Sequence, residues 1–179
     1  MNLEDMLTPL HYTELSSLQS ADSSKLFRIM SLDELSNIYA DDWYGFISMM
    51  EDSDGNLEDY CGWTHFKSFS TKVTKNMIQW YLGRLDVIVE FNRDKIEQIL
   101  PPQDAKILPY TFDKEGEDDF ELRLFTYGYE PFKNLDVKIS DAISTIYIPR
   151  SNHEVMEQFE DYFDLEYDNI ADIKVISDV

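Results

Sequence analysis

Positive charge is scarce in this sequence, and its scarcity limits the functions open to the chain. The 179 residues include 15 lysines and arginines against 36 aspartates and glutamates, a formal net charge of −21. Proteins that hold DNA, RNA or anionic lipid through their general electrostatic field need the opposite sign, because that binding neutralises phosphate charges. Direct nucleic-acid binding is therefore not expected, whereas a basic protein partner remains open.

Cysteine and histidine are too sparse for two common kinds of site. Cys61 is the single cysteine, so the chain cannot form an internal disulfide, and the three histidines lie far apart in the sequence. A structural zinc site needs several closely spaced ligands of these two types, so we predict no metal site. The glycine-rich patterns that cradle phosphates, GxGxxG and GxxxxGK[ST], are also missing.

Long apolar runs are absent as well. No stretch approaches the roughly 20 apolar residues of a membrane-spanning helix, and the first residues lack the basic and apolar segments of a secretory signal. We therefore expect a cytoplasmic protein without a membrane partner. A hydrophobic content of 43% is enough for a packed core, which predicts a single domain over residues 1–179.

The order of the predicted elements indicates an α+β fold. Residues 1–24 are expected to form a helical cover, residues 25–150 the core, and residues 151–179 an acidic helix with a closing strand. Alternating or β-branched runs predict strands, and apolar residues three or four apart predict helices. Because these elements alternate irregularly, the pattern favours a mostly antiparallel sheet over regular βαβ winding.

Individual elements follow from local patterns. Ser31 and Glu34 have the spacing of a capping box, which predicts a helix from there to about Tyr39. Residues 41–62 are acidic and rich in turn residues, so they are predicted to form a long loop with a short helix. The other predicted strands are 26–30, 64–71, 85–91, 106–112, 120–125, 137–139, 143–148 and 173–176, and the other predicted helices are 74–83, 93–100 and 152–163.

The stretch 64–71 begins the one locally basic part of the sequence. From Lys67 to Arg84 there are four positive residues and no acid, whereas residues 29–66 hold nine acids and no lysine or arginine. The predicted strand also ends in polar residues, among them Ser68 and Ser70, which a purely structural strand does not need. We expect an anionic group to bind here.

Three of the predicted strands carry a polar residue that a plain strand does not require. These are Arg28 on the first, Ser68-Phe69-Ser70 on the second and Asp119-Phe120-Glu121 at the start of the third. In this order and spacing, residues 25–150 resemble the ADP-ribosyltransferase superfamily of the Arg-Ser-Glu class. That family has an arginine on an early strand, a Ser-x-Ser element on a later one and an acid-x-Glu pair on the catalytic strand.

The resemblance implies a fold and a reaction. The fold would consist of split, mostly antiparallel sheets with peripheral helices. The reaction would transfer ADP-ribose from NAD, used as a substrate, to a macromolecular acceptor such as a protein with a basic surface. Glu121 would stabilise the oxocarbenium-like transition state, as a carboxylate does in glycoside cleavage, and Asp119 would position the accepting group.

The same resemblance implies the residues that bind NAD. Arg28 would grip the pyrophosphate with paired charge-assisted hydrogen bonds, and Lys67 would add positive charge. Ser68 and Ser70 would bind near the nicotinamide ribose, with Ser68 orienting the ribose or holding the catalytic glutamate. Ile29 follows the arginine where family members often have glycine, and the first acid is an aspartate where glutamate or glutamine is usual.

Two other interpretations of these residues stay open. Arg28 and Glu121 would suit a structural cross-strand pair, which contributes about 0.2 to 1 kcal/mol. Alternatively, the chain is a non-enzymatic acidic interaction protein, such as an immunity protein, inhibitor or nucleic-acid mimic. Residues 151–173 hold eight acids and no lysine or arginine, and such a surface can mask a basic partner and steer its association.

Overall fold

The computed structural model describes residues 3, 7, 11–19, 24–41, 47–51, 57–61, 66–73, 86–99, 108–111, 118–119, 121–125, 138–150, 153–162 and 171–176. These ranges form a mixed α+β fold. Its strands are β1 Tyr12–Thr13, β2 Lys25–Ser31, β3 Ile47–Glu51, β4 Leu57–Cys61, β5 Phe66–Ser70, β6 Asp86–Asn92, β7 Leu108–Thr111, β8 Asp118–Asp119, β9 Glu121–Phe125, β10 Ile143–Pro149 and β11 Asp172–Ile176. Its α-helices are α1 Leu32–Asp41, α2 Arg93–Ile99 and α3 His153–Tyr162.

A seven-stranded sheet organises the described part of the chain. Its strand order is β1-β11-β10-β6-β2-β5-β9, and β3 with β4 and β7 with β8 form two separate pairs. All pairings in the large sheet are antiparallel except those of β11 with β1 and β10. The mostly antiparallel arrangement agrees with the prediction from the irregular order of elements.

The large sheet is covered on both faces. One face, which we call the helical face, packs its apolar residues against α1, α2 and α3; its core includes Leu26, Met30, Val87, Val89, Leu35, Ile96 and Phe159. The opposite face, called the second face, has a smaller cluster of Leu15, Leu18, Phe27, Val73, Ile88, Tyr147 and Ile176. Because β6 is buried on both faces, Val87, Ile88 and Val89 are consecutive apolar residues instead of alternating with polar ones.

The junction between β2 and α1 forms as its local sequence predicts. The Ser31 hydroxyl oxygen accepts a hydrogen bond from the backbone N–H of Glu34 at 3.1 Å, which satisfies one of the amides that a helix start leaves unpaired. Leu32, Leu35 and Ile38 then face the core at helical spacing. The predicted strands and helices at 85–91, 93–100, 143–148, 152–163 and 173–176 are also confirmed, within one or two residues.

Two local predictions are wrong. Residues 41–62 contain a hairpin, because β3 and β4 pair over their full length with a five-residue connection; the acidic and turn-forming residues of this stretch had favoured a loop. In place of a strand at 137–139, Ile139–Ala142 is a 3-10 helix. The carboxylate of Asp141 accepts a hydrogen bond from the backbone N–H of Lys138 at 3.1 Å, and such local bonds compete with strand formation.

The predicted N-terminal cover is only partly right. Leu15 and Leu18 do cover the second face, but Tyr12–Thr13 is a strand and Leu15–Ser17 a 3-10 helix where an α-helix was expected. The predicted helix at 74–83 lies outside the described residues. No helix in the described ranges is both long and apolar enough to cross a membrane.

Candidate functional site

The three strands predicted to carry the site are neighbours in the large sheet. β5 lies between β2 and β9. Ser70 pairs with Phe27 on one side and with Glu121 on the other. Directly opposite residues of an antiparallel pair share a face, with Cβ atoms about 4.5 to 5.5 Å apart. The positions of Ser70 and Glu121 are therefore adjacent on the second face, and Ser68, two residues from Ser70, is on that face as well.

Arg28 lies on the other face of the sheet. Successive strand residues alternate between faces, so Arg28 follows Phe27 onto the helical face, where it pairs with Val89. Its Nε donates a hydrogen bond to Oε1 of Glu34 at 2.8 Å, and the two side chains are only 12% and 6% exposed. Arg28 is thus not brought together with Ser70 and Glu121, and the proposed cross-strand pair of Arg28 with Glu121 is wrong.

The other predicted residues are divided as well. Lys67 pairs with Leu124 and alternates with Ser68, so its position is on the helical face. Asp119 belongs to β8, which pairs with β7 in a separate sheet, whereas Glu121 belongs to the large sheet. Of the six predicted residues, the structure brings Ser68, Ser70 and Glu121 to one face.

Comparisons of the chain with protein families, with curated proteins and with solved structures find no match in any of the three.

A row of five polar residues, interrupted by the buried Phe27, crosses the second face and includes Ser70 and Glu121. It follows the register through six neighbouring strands, as Asp172, Thr145, Glu90, Phe27, Ser70 and Glu121. Three of these positions are carboxylic acids. Since adjacent strands are about 4.8 Å apart, the row brings together residues that are far apart in the sequence.

Glu90 is the buried centre of this row. The residue is 4% exposed. Its Oε1 forms an ion pair with Lys25 Nζ at 3.2 Å and accepts a hydrogen bond from the Tyr147 hydroxyl at 3.2 Å, and its Oε2 accepts one from Ser144 Oγ at 2.5 Å. A buried carboxylate is costly unless charged or polar donors compensate it. These three donors compensate Glu90, and they tie β2, β6 and β10 together.

An irregularity in β10 places Ser144 beside Glu90. Ile143 pairs with Phe91 and Thr145 with Glu90, and the register shifts between them, leaving Ser144 as an extra residue. Such insertions redirect a side chain locally, and the Ser144 hydroxyl also donates to the backbone carbonyl of Glu90 at 3.2 Å. This cluster was not among the residues predicted from the sequence, although an acid within the otherwise apolar segment Val87–Phe91 was a visible signal.

Tyr147 belongs both to the Glu90 cluster and to the apolar core of the second face. Burial raises the pKa of its hydroxyl far above the ordinary value, and the nearby negative charge of Glu90 raises it further. The phenol therefore stays protonated and can only donate to Glu90. Lys25, Ser144 and Tyr147 all contact the same carboxylate, so together they fix the position of the Glu90 side chain.

The outer surface of α3 carries a second set of acids. Val155, Met156 and Phe159 are buried in the core of the helical face, whereas Glu154, Glu157 and Asp161 are exposed. These three acids, which we call the α3 acidic stripe, are three and four residues apart and so lie along one side of the helix. No lysine or arginine occurs in α3.

Proposed function

We propose that the protein binds a basic protein partner, with the α3 acidic stripe as a principal contact. The observation that supports this proposal is the exposure of Glu154, Glu157 and Asp161 on a helix whose opposite side is anchored in the core. An anchored helix presents its charges in a fixed arrangement, so a partner pays little to order them on binding.

Part of the stripe is unfavourable for the free protein, which also supports a binding role. Glu157 and Asp161 are four residues apart, and like charges at this spacing destabilise a helix, whereas Glu154 lies in the first turn, where a negative charge is favourable. The chain already carries a net charge of −21, so further acids add self-repulsion. A partner with matching lysines and arginines would relieve that repulsion and would be steered to the surface from a distance.

Neutralising part of the stripe should weaken partner binding. We expect the double variant Glu157→Gln with Asp161→Asn to raise the Kd for a partner by about tenfold, the equivalent of about 1.4 kcal/mol. The partner would first be captured on the immobilised protein and identified by mass spectrometry, and the purified pair then titrated by calorimetry. Binding should also weaken between about 50 and 300 mM salt, as screening shortens the range of the charges.

The matched control removes the same amount of charge elsewhere. Glu14 and Asp94 are exposed and lie outside α3, so Glu14→Gln with Asp94→Asn should change the Kd by less than about twofold. Equal weakening by the two double variants would mean that only the net charge matters, and the stripe would lose its role. If no basic protein binds in the micromolar range, the proposed function is contradicted.

ADP-ribose transfer from NAD is a second candidate function, and one observation favours it. Ser70 and Glu121 are directly opposite each other on neighbouring strands, and Ser70 is 7% exposed. A serine beside the catalytic glutamate is what the Arg-Ser-Glu class requires, and an ADP-ribosyltransferase-like fold is part of the same proposal. Arg28 does not contribute to it, because its guanidinium is engaged with Glu34 on the opposite face.

A test with NAD separates this candidate from simple partner binding. If NAD binds, its addition at about 100 times the Kd should stabilise the fold by roughly 2.7 kcal/mol, seen as a rise in Tm. Labelled NAD should then transfer its ADP-ribose to an acceptor protein, and Glu121→Gln should lower the rate by at least about a hundredfold. Glu14→Gln, an equal charge change outside α3, should leave the rate unaltered, and an unchanged Tm with NAD would rule the transferase out.

A further inference from the structure

Ser144 is an exposed serine whose hydroxyl contacts a buried carboxylate. Its Oγ donates a hydrogen bond to Oε2 of Glu90 at 2.5 Å, at the short end of the range for a hydroxyl and a carboxylate. Ser144 itself is exposed, whereas Glu90 is 4% exposed. A serine hydroxyl is a weak nucleophile until an adjacent base takes its proton. The pair therefore places an accessible nucleophile directly against a base.

Two further groups hold the Glu90 carboxylate in position. Its Oε1 accepts a hydrogen bond from the Tyr147 hydroxyl at 3.2 Å and pairs with Lys25 Nζ at 3.2 Å, so that Oε2 is the oxygen that contacts Ser144. Because the pKa of Tyr147 is raised, its phenol keeps its proton and does not act as the base. A nucleophile, a base within hydrogen-bond reach and a third group that orients the base are the parts that activated serines share.

The backbone of β10 brings this one hydroxyl to the surface. The register of β10 against β6 shifts between Ile143 and Thr145, and such bulges occur often beside active sites, where they redirect a side chain. Thr145, the next residue, is only 6% exposed. The irregularity thus exposes the hydroxyl of Ser144 and buries the one that follows it.

We propose that Ser144 is a nucleophile that accepts an acyl group from an ester or thioester, with Glu90 as its general base. Oγ attacks the carbonyl carbon and forms an O–C bond, while its proton passes to Oε2 of Glu90 and the carbonyl electron pair moves to the substrate oxygen. When the carbonyl re-forms, the bond to the alcohol or thiol breaks, and that leaving group takes the proton from Glu90. The products are acyl-Ser144 and a free alcohol or thiol, and Glu90 is a carboxylate again.

Lys25 supplies positive charge for the substrate oxygen. Its side chain is 53% exposed, and its ammonium pairs with the same carboxyl group that contacts Ser144. When Glu90 takes the proton it becomes neutral, at the moment when the substrate oxygen becomes negative. An ammonium on a flexible stem can then stabilise the oxyanion. Esters and thioesters suit this small set of groups, because their leaving groups depart more readily than the amine of an amide.

The acyl-accepting serine is independent of the proposed partner binding. Glu90 lies on the second face, whereas α3 packs its apolar residues into the core of the helical face. The site is also separate from the Ser70 and Glu121 pair, because Phe27 lies between Glu90 and Ser70 in the polar row. Failure of any one of these proposals leaves the others standing.

A fluorophosphonate probe tests the reactivity of Ser144 in the whole protein. The probe presents phosphorus in place of the carbonyl carbon, so that an Oγ–P bond forms, the P–F bond breaks, fluoride leaves and Glu90 takes the proton. Labelled peptides would be quantified by mass spectrometry over time. Ser17 is the internal control, because it is exposed and its hydroxyl donates to the backbone carbonyl of Glu14 at 2.7 Å, which is not a base. We expect Ser144 to react at least about a hundredfold faster than Ser17.

Variants and unfolding separate an activated serine from a structural hydrogen bond. Glu90→Gln should slow labelling of Ser144 by at least about a hundredfold, with circular dichroism to show that the fold is kept, and Ser144→Ala should abolish labelling in that peptide. In protein unfolded by urea, Ser144 and Ser17 should react at the same slow rate, a comparison that needs no variant. Equal rates for the two serines in the folded protein, or unchanged labelling of Ser144 in folded Glu90→Gln, would show that the bond is only structural and overturn the inference.

Discussion

Replacing Arg28 with alanine is expected to lower the free energy of unfolding by about 3 to 5 kcal/mol, because it removes one partner of a buried ion pair. The Arg28 and Glu34 side chains are 12% and 6% exposed, so the carboxylate that remains cannot recover full hydration. Urea denaturation of the variant, followed by far-ultraviolet circular dichroism, measures the change.

Removing both charges should lower the free energy of unfolding much less than removing one. In the double variant Arg28→Met with Glu34→Leu, apolar side chains of similar size replace the pair, and such replacements are often neutral or even stabilising. Arg150→Ala serves as the control, since Arg150 is exposed and its guanidinium lies 5.6 Å from the Tyr12 ring centroid; the expected loss is under about 1 kcal/mol.

The outcome at Arg28 also bears on the transferase candidate. A small loss of stability in Arg28→Ala, together with a loss of NAD binding, would contradict the structural role of Arg28 and return this residue to the candidate site. If Arg28→Ala loses much stability and the double variant regains it, the role of Arg28 in joining β2 to α1 is confirmed.

Replacing Glu90 with leucine is expected to lower the free energy of unfolding by about 3 kcal/mol, which is the second of the two largest effects. The change leaves the buried Tyr147 hydroxyl without its acceptor, and an unsatisfied buried polar group costs about 1 to 3 kcal/mol. It also removes the short charge-assisted bond from Ser144, a class of bond worth about 1.5 to 3 kcal/mol. Adding Tyr147→Phe should recover part of the loss, because the buried phenol hydroxyl that lost its acceptor is then removed.

The pH dependence of stability gives an independent readout of the same cluster. The pKa of Tyr147 is raised in the folded protein, so its contribution is complete below the unfolded value of about 10 and is lost as the pH rises above it. Glu90→Gln removes one cause of that shift. We expect the variant to lose less stability than the parent between about pH 10 and 12, with one tyrosine ionising earlier in ultraviolet absorbance.

Lys25 provides the control for the Glu90 prediction. Its side chain is 53% exposed, so water screens the pair and Lys25→Met should cost no more than about 1 kcal/mol. If that variant were as damaging as Glu90→Leu, the ammonium rather than the two hydroxyls would be the main support of the carboxylate.

The sequence correctly predicted segments whose secondary structure depends on a few neighbouring residues. Ser31 caps α1, and the apolar run of β6 forms a central strand, because capping and strand propensity act over a few neighbouring residues. The hairpin at 47–61 shows the limit of this approach. Pairing of β3 with β4 satisfies the backbone and overrides the low strand propensity of aspartate and glutamate.

The candidate site shows the larger limit. The sequence correctly placed Arg28, Ser70 and Glu121 on strands. Alternation with a period of two shows which residues of one strand share a face, but it does not show which residues of a distant strand lie on that same face of the sheet. Pairing of Phe27 with Ser70 decided that Arg28 faces the helices while Ser70 and Glu121 face the other way. The partner of Arg28 proved to be Glu34, six residues along the chain, where the turn into α1 brings it close.

The sequence alone determined the acidic character, the lack of cysteine and histidine for a disulfide or a structural zinc site, and the type of most elements, because these depend on composition and on contacts between near neighbours. Only the tertiary structure decided strand order, register and face, and with them the burial of Glu90 among Lys25, Ser144 and Tyr147. Those features arise when segments far apart in the chain pack together, and a shift of one residue in register would exchange every side chain between the two faces.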